Sequence, residues 1–236
     1  KSIGRLHTYG DFLLAIEAAL AAGFSNINVD LMYSLPHQTV EQVAQSAQAL
    51  CALPITHISA YALKLERGVP MYGAEQPDEQ TDRAMFYTLR DILAEKGFAR
   101  YEISNFAKPG YECRHNLKYW RVEEYIGLGV AAHSFYQGMR FSNDESIGRY
   151  LAALRRGTRA EISRMQADLP FARIMLKTRL AEGLPAEEIP GSAGMRRSLA
   201  KLQKMGLCTL GERLVLTDRG MDLQDGVVLE LIGNLD

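Results

Sequence analysis

The first half of the chain alternates between helix-like and strand-like patterns. Three segments carry apolar residues three and four positions apart, the spacing of a helix with one buried face. Helices are predicted over 11–23, 39–50 and 81–96. Three shorter runs have the alternation or the composition of strands. Strands are predicted over 27–32, 55–63 and 100–104. This rhythm is typical of βαβ units and predicts an α/β protein with a parallel sheet.

The second half follows a different pattern. Residues 107–145 are rich in glycine, aromatic residues and histidine without a clear period, which predicts a structured loop region. Two helices are predicted next, over 146–156 and 166–182. A helix, a two-stranded hairpin and a last helix are then predicted over 194–205, 207–217 and 218–231. This succession resembles a winged-helix module.

The composition is that of an ordinary globular protein. The 236 residues are 47% hydrophobic, and 27 basic side chains against 28 acidic ones give a net charge of −1. That balance argues against a broad electrostatic surface for nucleic acid or anionic lipid. The three cysteines, Cys51, Cys113 and Cys208, are far apart and form no CxxC or CxxxCxxC motif. A disulfide framework is therefore not expected, and the predicted location is a reducing cytoplasm.

Three side chains in or near the predicted strands are candidates for chemistry. Asp30, Tyr61 and Glu102 lie where the carboxyl ends of parallel strands would converge on one mouth. An acid in an apolar strand needs hydrogen-bond donors to offset its desolvation. The alternative for a lone acid is a structural hydrogen bond to a neighbouring loop amide.

A second candidate is the segment 113–120, which combines a cysteine, a histidine and the only tryptophan of the chain. Cysteine and histidine can ligate iron, and aromatic side chains can stack on a flat conjugated ligand. Taken alone, His115 is more often a structural histidine.

Four segments in order carry a family resemblance. They are Gly4-Arg5-Leu6-His7, the run from Asn28 to Pro36, the run from Tyr101 to Ala107, and the HNxxYW string from His115 to Trp120. Together they resemble the HemW family, the heme-chaperone branch of the oxygen-independent coproporphyrinogen III oxidase-like radical SAM proteins. Ser34 stands where the family usually has a glycine.

The resemblance implies a fold and a domain division. It implies the C-terminal half of a partial (β/α)6 radical SAM barrel followed by a mainly helical winged-helix-like domain. The expected parts are barrel over 1–107, a connecting region with HNxxYW over 108–160, and the winged-helix-like domain over 161–236. It also implies that the full-length parent holds S-adenosylmethionine and a [4Fe–4S] cluster. No CxxxCxxC loop occurs in this sequence, so no residue here is expected to bind the cluster and the chain alone is expected to be inactive as an enzyme.

The resemblance also assigns residues to ligands. For S-adenosylmethionine it implies a contact by Arg5, a hold on the ribose hydroxyls by Asp30, and contacts beside the adenine by Phe106 and Ala107. For heme it implies His115 or Cys113 as the iron ligand. The other heme-binding residues that it implies are Asn116, with Tyr119 and Trp120 as wall or stacking groups.

Three functions follow as hypotheses. The first is heme binding and transfer to apoproteins. The second is oxidative decarboxylation of coproporphyrinogen III, against which the HNxxYW string decides. The third is nucleic-acid binding by the winged-helix-like module, whose basic residues are Arg196, Arg197, Lys201, Lys204 and Arg213. The acids around it make this the least favoured; they are Glu187, Glu188, Asp218, Asp222 and Asp225.

Two expectations concern assembly and membranes. Half a barrel leaves an unpaired, hydrophobic strand edge over 26–32, which favours association, so a homodimer is one expected state. The longest mainly apolar stretch, 12–24, is interrupted by Glu17 and is too short to span a bilayer.

Overall fold

The structure is a computed structural model that describes residues 6–65, 67–68 and 71–235. It divides into two compact units, one reaching Cys113 and the other starting at Arg114. In the described part of the chain, no helix is both long and apolar enough to cross a membrane.

The helices of the first unit begin at side-chain caps that the sequence contains. Thr8 forms a capping box with Asp11, and Thr39 forms one with Gln42. The spacing of Thr39 and Gln42 in the sequence predicts the second of these capping boxes. Asp78 caps the third helix through the backbone N–H of Thr81. The helices are α1 (Tyr9–Ala21), α2 (Val40–Cys51) and α3 (Glu79–Glu95).

A four-stranded sheet completes the first unit. Its strands are β1 (Asn28–Tyr33), β2 (His57–Ala62), β3 (Ala99–Arg100) and β4 (Asn105–Ala107), in the order β1-β2-β4-β3. The first two are parallel, as predicted, whereas β4 is antiparallel to both of its neighbours. A single third strand over 100–104 is therefore wrong, because the chain turns between β3 and β4.

One face of the sheet packs on the helices, and strands and helices both contribute residues to the hydrophobic core between them. Val29, Ile58 and Phe106 from the sheet join Val43 and Leu89 from the helices in one hydrophobic cluster. Ser34, directly after β1, has φ +59°, the region that favours glycine. This backbone explains why a glycine suits that position.

The second unit starts with elements that the pattern did not predict. In place of the loop region over 107–145, the structure has α4 (Arg114–Trp120), β5 (His133–Tyr136) and β6 (Met139–Asn143). The predicted helix after them is α5 (Ile147–Arg155). The strand β7 (Glu161–Gln166) completes an antiparallel sheet in the order β5-β6-β7.

The rest of the second unit surrounds a small antiparallel sheet in the order β8-β10-β9. Its elements are α6 (Leu169–Lys177), β8 (Leu184–Pro185), a 3-10 turn (Ala186–Glu188), α7 (Ala193–Lys204), β9 (Cys208–Leu210), β10 (Arg213–Leu216), α8 (Asp218–Asp222) and α9 (Gln224–Ile232). The helix predicted over 166–182 is the shorter α6, and the one over 218–231 is broken at Leu223. The winged-helix assignment and the three-part domain division stay predictions.

Candidate functional site

The first candidate site is the sheet face of the first unit that the helices do not cover. Asn28 pairs with His57 and Asp30 pairs with Ser59 in the parallel register of β1 and β2. Because side chains two residues apart share a face of a strand, these four polar groups project to one side, together with Tyr61. A polar sheet face opposite an apolar one is the ordinary pattern of a sheet with one face outside the core, and here it gathers several hydrogen-bonding groups in one place.

Hydrogen bonds on this face fix the tautomer of one histidine. Asn28 donates its Nδ2 to the Asp30 carboxylate at 2.9 Å, which turns its Oδ1 toward His57 Nδ1 at 2.6 Å. His57 Nδ1 therefore carries the proton, and Nε2 accepts from the Tyr101 hydroxyl at 2.8 Å. The same hydroxyl accepts from the backbone N–H of Cys113 at 3.3 Å. The result is a continuous series of hydrogen bonds from Asp30 to Cys113, at the end of the first unit.

Burial shifts the pKa values of two groups in this series of hydrogen bonds. Desolvation lowers the pKa of His57 below its ordinary value of 6.5, against the opposing pull of Glu102, Asp30 and Glu112. Desolvation likewise raises the pKa of the Tyr101 hydroxyl. Both shifts favour the neutral forms of His57 and Tyr101, which suits a hydrogen bond from the hydroxyl to Nε2.

We expect the first unit to lose stability on mild acidification because of His57. The unfolded chain protonates histidine near pH 6.5 while the folded chain resists it, so the contribution is complete above pH 6.5 and is lost as pH falls toward the lowered pKa. The free energy of unfolding, measured in urea between pH 7.5 and 5.5, should fall with pH, and His57→Gln should remove the part of this slope that His57 causes. His133→Gln changes an exposed histidine of the other unit and is the control, which should keep the slope. An unchanged slope in His57→Gln would contradict the lowered pKa of His57.

Glu102 occupies a turn and not the strand in which it was expected. It is completely buried, and its Oε1 accepts from the backbone N–H of Ser104 at 2.8 Å and from Asn105 Nδ2 at 2.5 Å. The carboxylate therefore holds the tight connection between β3 and β4. This is the loop-amide hydrogen bond that was the alternative to a chemical role.

The residues expected to contact S-adenosylmethionine fall in different places. Arg5 lies outside the described residues. Asp30 is exposed on the polar face and also accepts from the Tyr61 hydroxyl at 3.4 Å, and Ala107 pairs with His57 on the same face. Phe106 lies on the opposite face, with its ring buried in the core. The Phe106 ring thus does not face the polar side of the sheet, and all the assigned contacts to S-adenosylmethionine stay predictions.

The HNxxYW string forms α4 of the second unit. His115 and Tyr119 are one helical turn apart, and Tyr119 OH lies 3.1 Å from His115 Nε2, with the two rings edge to face. Tyr119 also packs edge to face on Tyr125, with ring centroids 4.6 Å apart. His115 itself is exposed, so its ring is oriented by a neighbour while remaining open to a ligand.

A pocket of about 590 Å³ lies beside this helix, within the size range of small-molecule sites. It is bounded by α4 and the loop after it, by the sheet β5-β6-β7, and by α6. Its walls are mainly apolar and aromatic. They are formed by Asn116, Tyr119, Trp120, Val122, Glu123, Tyr125, Phe135, Arg140, Met165, Gln166, Ala167, Asp168, Phe171, Ala172, Met175 and Leu176.

Three of the predicted heme residues, Asn116, Tyr119 and Trp120, line this pocket, and His115 contacts it through Tyr119. Trp120 carries the Arg179 guanidinium 4.3 Å from its ring centroid. Its indole N–H is buried without a hydrogen-bond partner in the described structure. Cys113 belongs to the first unit, and its role as a ligand stays a prediction.

The cysteines do not fit an iron–sulfur cluster. Cys51 and Cys113 are half-buried and Cys208 is buried, and all three are free thiols. Within the described ranges, no group of three or more cysteine, histidine or acidic side chains is arranged to hold a metal ion. No step of a reaction is therefore assigned to a cluster on these residues.

Comparison with known proteins defines the class first. The fold matches that of coproporphyrinogen III oxidase (HemN) from Escherichia coli, a radical SAM enzyme, with a TM-score of 0.78 and 18% identity over 95% of this chain and 59% of that chain. The predicted α/β fold class of a radical SAM partial barrel is thus confirmed. No protein-family model matches the sequence.

Proteins that are similar in sequence include heme chaperones. The heme chaperone HemW of Mycobacterium tuberculosis is 34% identical over 98% of this chain and 62% of its own length. Radical S-adenosyl methionine domain-containing protein 1 of Bos taurus is 28% identical over 99% of this chain and 59% of its own length. The chain is thus similar over nearly its whole length to heme chaperones of the HemW type, the family that its motifs predict, and to a radical SAM domain-containing protein. It spans less than two thirds of the length of each of these relatives.

Proposed function

We propose that this chain contains the heme-binding site of a heme chaperone. The observation that carries the proposal is the aromatic pocket of about 590 Å³ whose wall includes Tyr119 and Trp120 of the HNxxYW string. Heme is flat and largely apolar, so stacking and burial against such walls favour its binding. The relatives that bear the name heme chaperone support the same function.

His115 is the proposed iron ligand. Its imidazole is exposed, and its Nε2 is engaged only by a neighbouring hydroxyl in the described structure, that of Tyr119. Iron bound at Nδ1 would leave this hydrogen bond in place to orient the ring, as outer partners of metal-ligating histidines commonly do. An exposed ligand at the edge of a pocket also suits a cargo that has to leave again. Cys113 is the other candidate for the ligand.

Titration with hemin tests the proposal. We expect His115→Ala to weaken heme binding by about tenfold or more and to change the Soret absorption, because a ligand to iron is lost. His133→Ala is the matched control, since His133 is an exposed histidine of β5 that does not line the pocket. Equal titrations and equal spectra for the two variants would move the ligand away from the HNxxYW string.

The single tryptophan locates the site in the same experiment. Trp120 lines the pocket, so heme bound there should quench its fluorescence strongly. Heme bound elsewhere on the chain would change absorption with less quenching.

For the cofactor, the proposal is that Asp30 and the polar face around it contribute to an S-adenosylmethionine site of the parent protein. An exposed carboxylate between the Asn28 amide and the Tyr61 hydroxyl supports it, because a carboxylate accepts well from the vicinal hydroxyls of a ribose. S-adenosylmethionine would supply radical chemistry when bound; these residues would only bind and orient it.

Two alternatives have less support. Coproporphyrinogen III oxidation is supported by fold similarity alone. For nucleic-acid binding, several cations of the winged-helix-like region are already engaged within the fold. Lys201 pairs with Glu230 at 2.7 Å, and Arg213 donates to the backbone carbonyls of Glu182 and Gly183. Heme-accepting apoproteins and a homodimer remain proposals.

A further inference from the structure

We propose that Arg140 binds a propionate of the porphyrin in the pocket beside α4. This inference rests on the proposed heme site and deepens it, since it names the part of the ligand that the pocket recognises. It implies that the site takes propionate-bearing porphyrins with or without iron. The histidine ligand would then add affinity only for the metallated forms.

Arg140 is placed where a bound ligand would meet it. It lies on the central strand β6, between Phe135 of β5 and Met165 of β7 in the sheet register, and all three residues line the pocket. Its guanidinium carbon lies 5.2 Å from the centroid of the Phe135 ring. The stacking holds the flat guanidinium against an apolar wall and leaves its N–H groups for an acceptor.

Arg164 and Arg121 of the same unit are each paired with a carboxylate, whereas no carboxylate pairs with Arg140 in the part of the chain that the structure describes. Arg164 on the neighbouring strand makes two hydrogen bonds of 2.7 Å to Glu161, and Arg121 makes two to Glu182. Among the described residues, Arg140 forms no ion pair. Arg140 is a half-buried residue of an aromatic pocket, and its positive charge has no carboxylate among the described residues, so a ligand carboxylate would neutralise it.

The acids of the pocket do not supply that partner. Glu123 faces Lys118 at 3.6 Å, and Asp168 caps α6 by accepting from the backbone N–H of Phe171 at 3.0 Å. The remaining walls are mostly apolar, and such walls alone would reject a charged propionate because of its desolvation. One cation at one side of an apolar pocket therefore matches a flat apolar ligand whose carboxylates lie along one edge.

The test combines a protein variant with a ligand variant. Hemin and hemin dimethyl ester, both supplied in the same detergent, are titrated into the intact protein, Arg140→Gln and Arg164→Gln, with Trp120 fluorescence as the readout. We expect Arg140→Gln to weaken hemin binding about tenfold and to leave binding of the ester unchanged. Arg164→Gln, which removes an arginine outside the pocket, should bind both ligands as the unsubstituted protein does.

The outcomes separate this inference from the proposed function. Equal weakening of both ligands by Arg140→Gln would indicate lost packing and would overturn the propionate contact, as would no weakening at all. In either case, saturable quenching by hemin and a His115-dependent Soret band would leave the proposed heme site standing. Absence of saturable hemin binding by the unsubstituted protein would overturn both.

Discussion

Gly220→Ala is expected to destabilise the second unit by about 3 kcal/mol or more, because a methyl group has no room there. A Cβ on Gly220 would lie 1.8 Å from the carbonyl oxygen of Leu207 and 2.9 Å from its carbonyl carbon. That carbonyl accepts from the backbone N–H of Thr217 at 3.0 Å. Relieving the overlap requires movement of backbone at the start of β9, which would break this hydrogen bond.

Gly226→Ala is the matched control for this prediction. Gly226 is an exposed residue of α9, and nothing lies within 4 Å of the position that a methyl group would take there. The same change should therefore stabilise by about 0.5–1 kcal/mol through helix propensity. Urea-unfolding midpoints measured on both variants check the two signs. A loss below about 1 kcal/mol for Gly220→Ala would show that the start of β9 yields easily.

Local patterns were sufficient to predict elements whose signals lie within a few residues. The capping box of Thr39 and Gln42 marks the start of α2, and the apolar spacing of α3 marks its buried face. The parallel pairing of β1 and β2 follows from the helix between them. These features need no knowledge of distant residues.

The wrong strand over 100–104 and the missed elements α4, β5 and β6 have different causes. Tyr101-Glu102-Ile103-Ser104 has strand-like composition, but Glu102 is buried as the acceptor that closes a turn. The short helix α4 has seven residues and none of them is buried, so it leaves almost no periodic signal. The strands β5 and β6 likewise depend on pairing, the latter with β7 about twenty residues away.

The residues of the candidate sites likewise divide into those that a local pattern brings together and those that only tertiary packing brings together. The one-turn spacing of His115 and Tyr119 places them together on a helix, which the sequence alone permits one to infer once the helix is known. Arg140 and Phe171, by contrast, reach the pocket only through tertiary packing. His57 was missed as a site residue because its partner Tyr101 lies 44 positions away.

Glu102→Ala is expected to destabilise the first unit by about 2–5 kcal/mol. The substitution removes the acceptor for the Ser104 backbone N–H and for Asn105 Nδ2, and Asn105 is itself nearly fully buried. The Asn105 amide would then lack this acceptor in a buried position, the Ser104 N–H would lose its partner, and the lost side-chain volume would leave a cavity. The connection between β3 and β4 would no longer be held in register with β2, to which Ser104 is tied by its carbonyl contact with the Ala60 N–H at 2.7 Å.

Glu112→Ala gives the comparison that isolates burial from the loss of an acidic acceptor. Glu112 also accepts a backbone N–H, that of Gly110 at 3.3 Å, but in an exposed turn where water can replace it, so a change within about 0.5 kcal/mol is expected. Urea unfolding followed by circular dichroism measures both variants. If Glu102→Ala were as mild as Glu112→Ala, the buried turn would not depend on its carboxylate. Glu102→Gln refines the result, since it keeps an acceptor oxygen in nearly the same volume and should recover part of the loss.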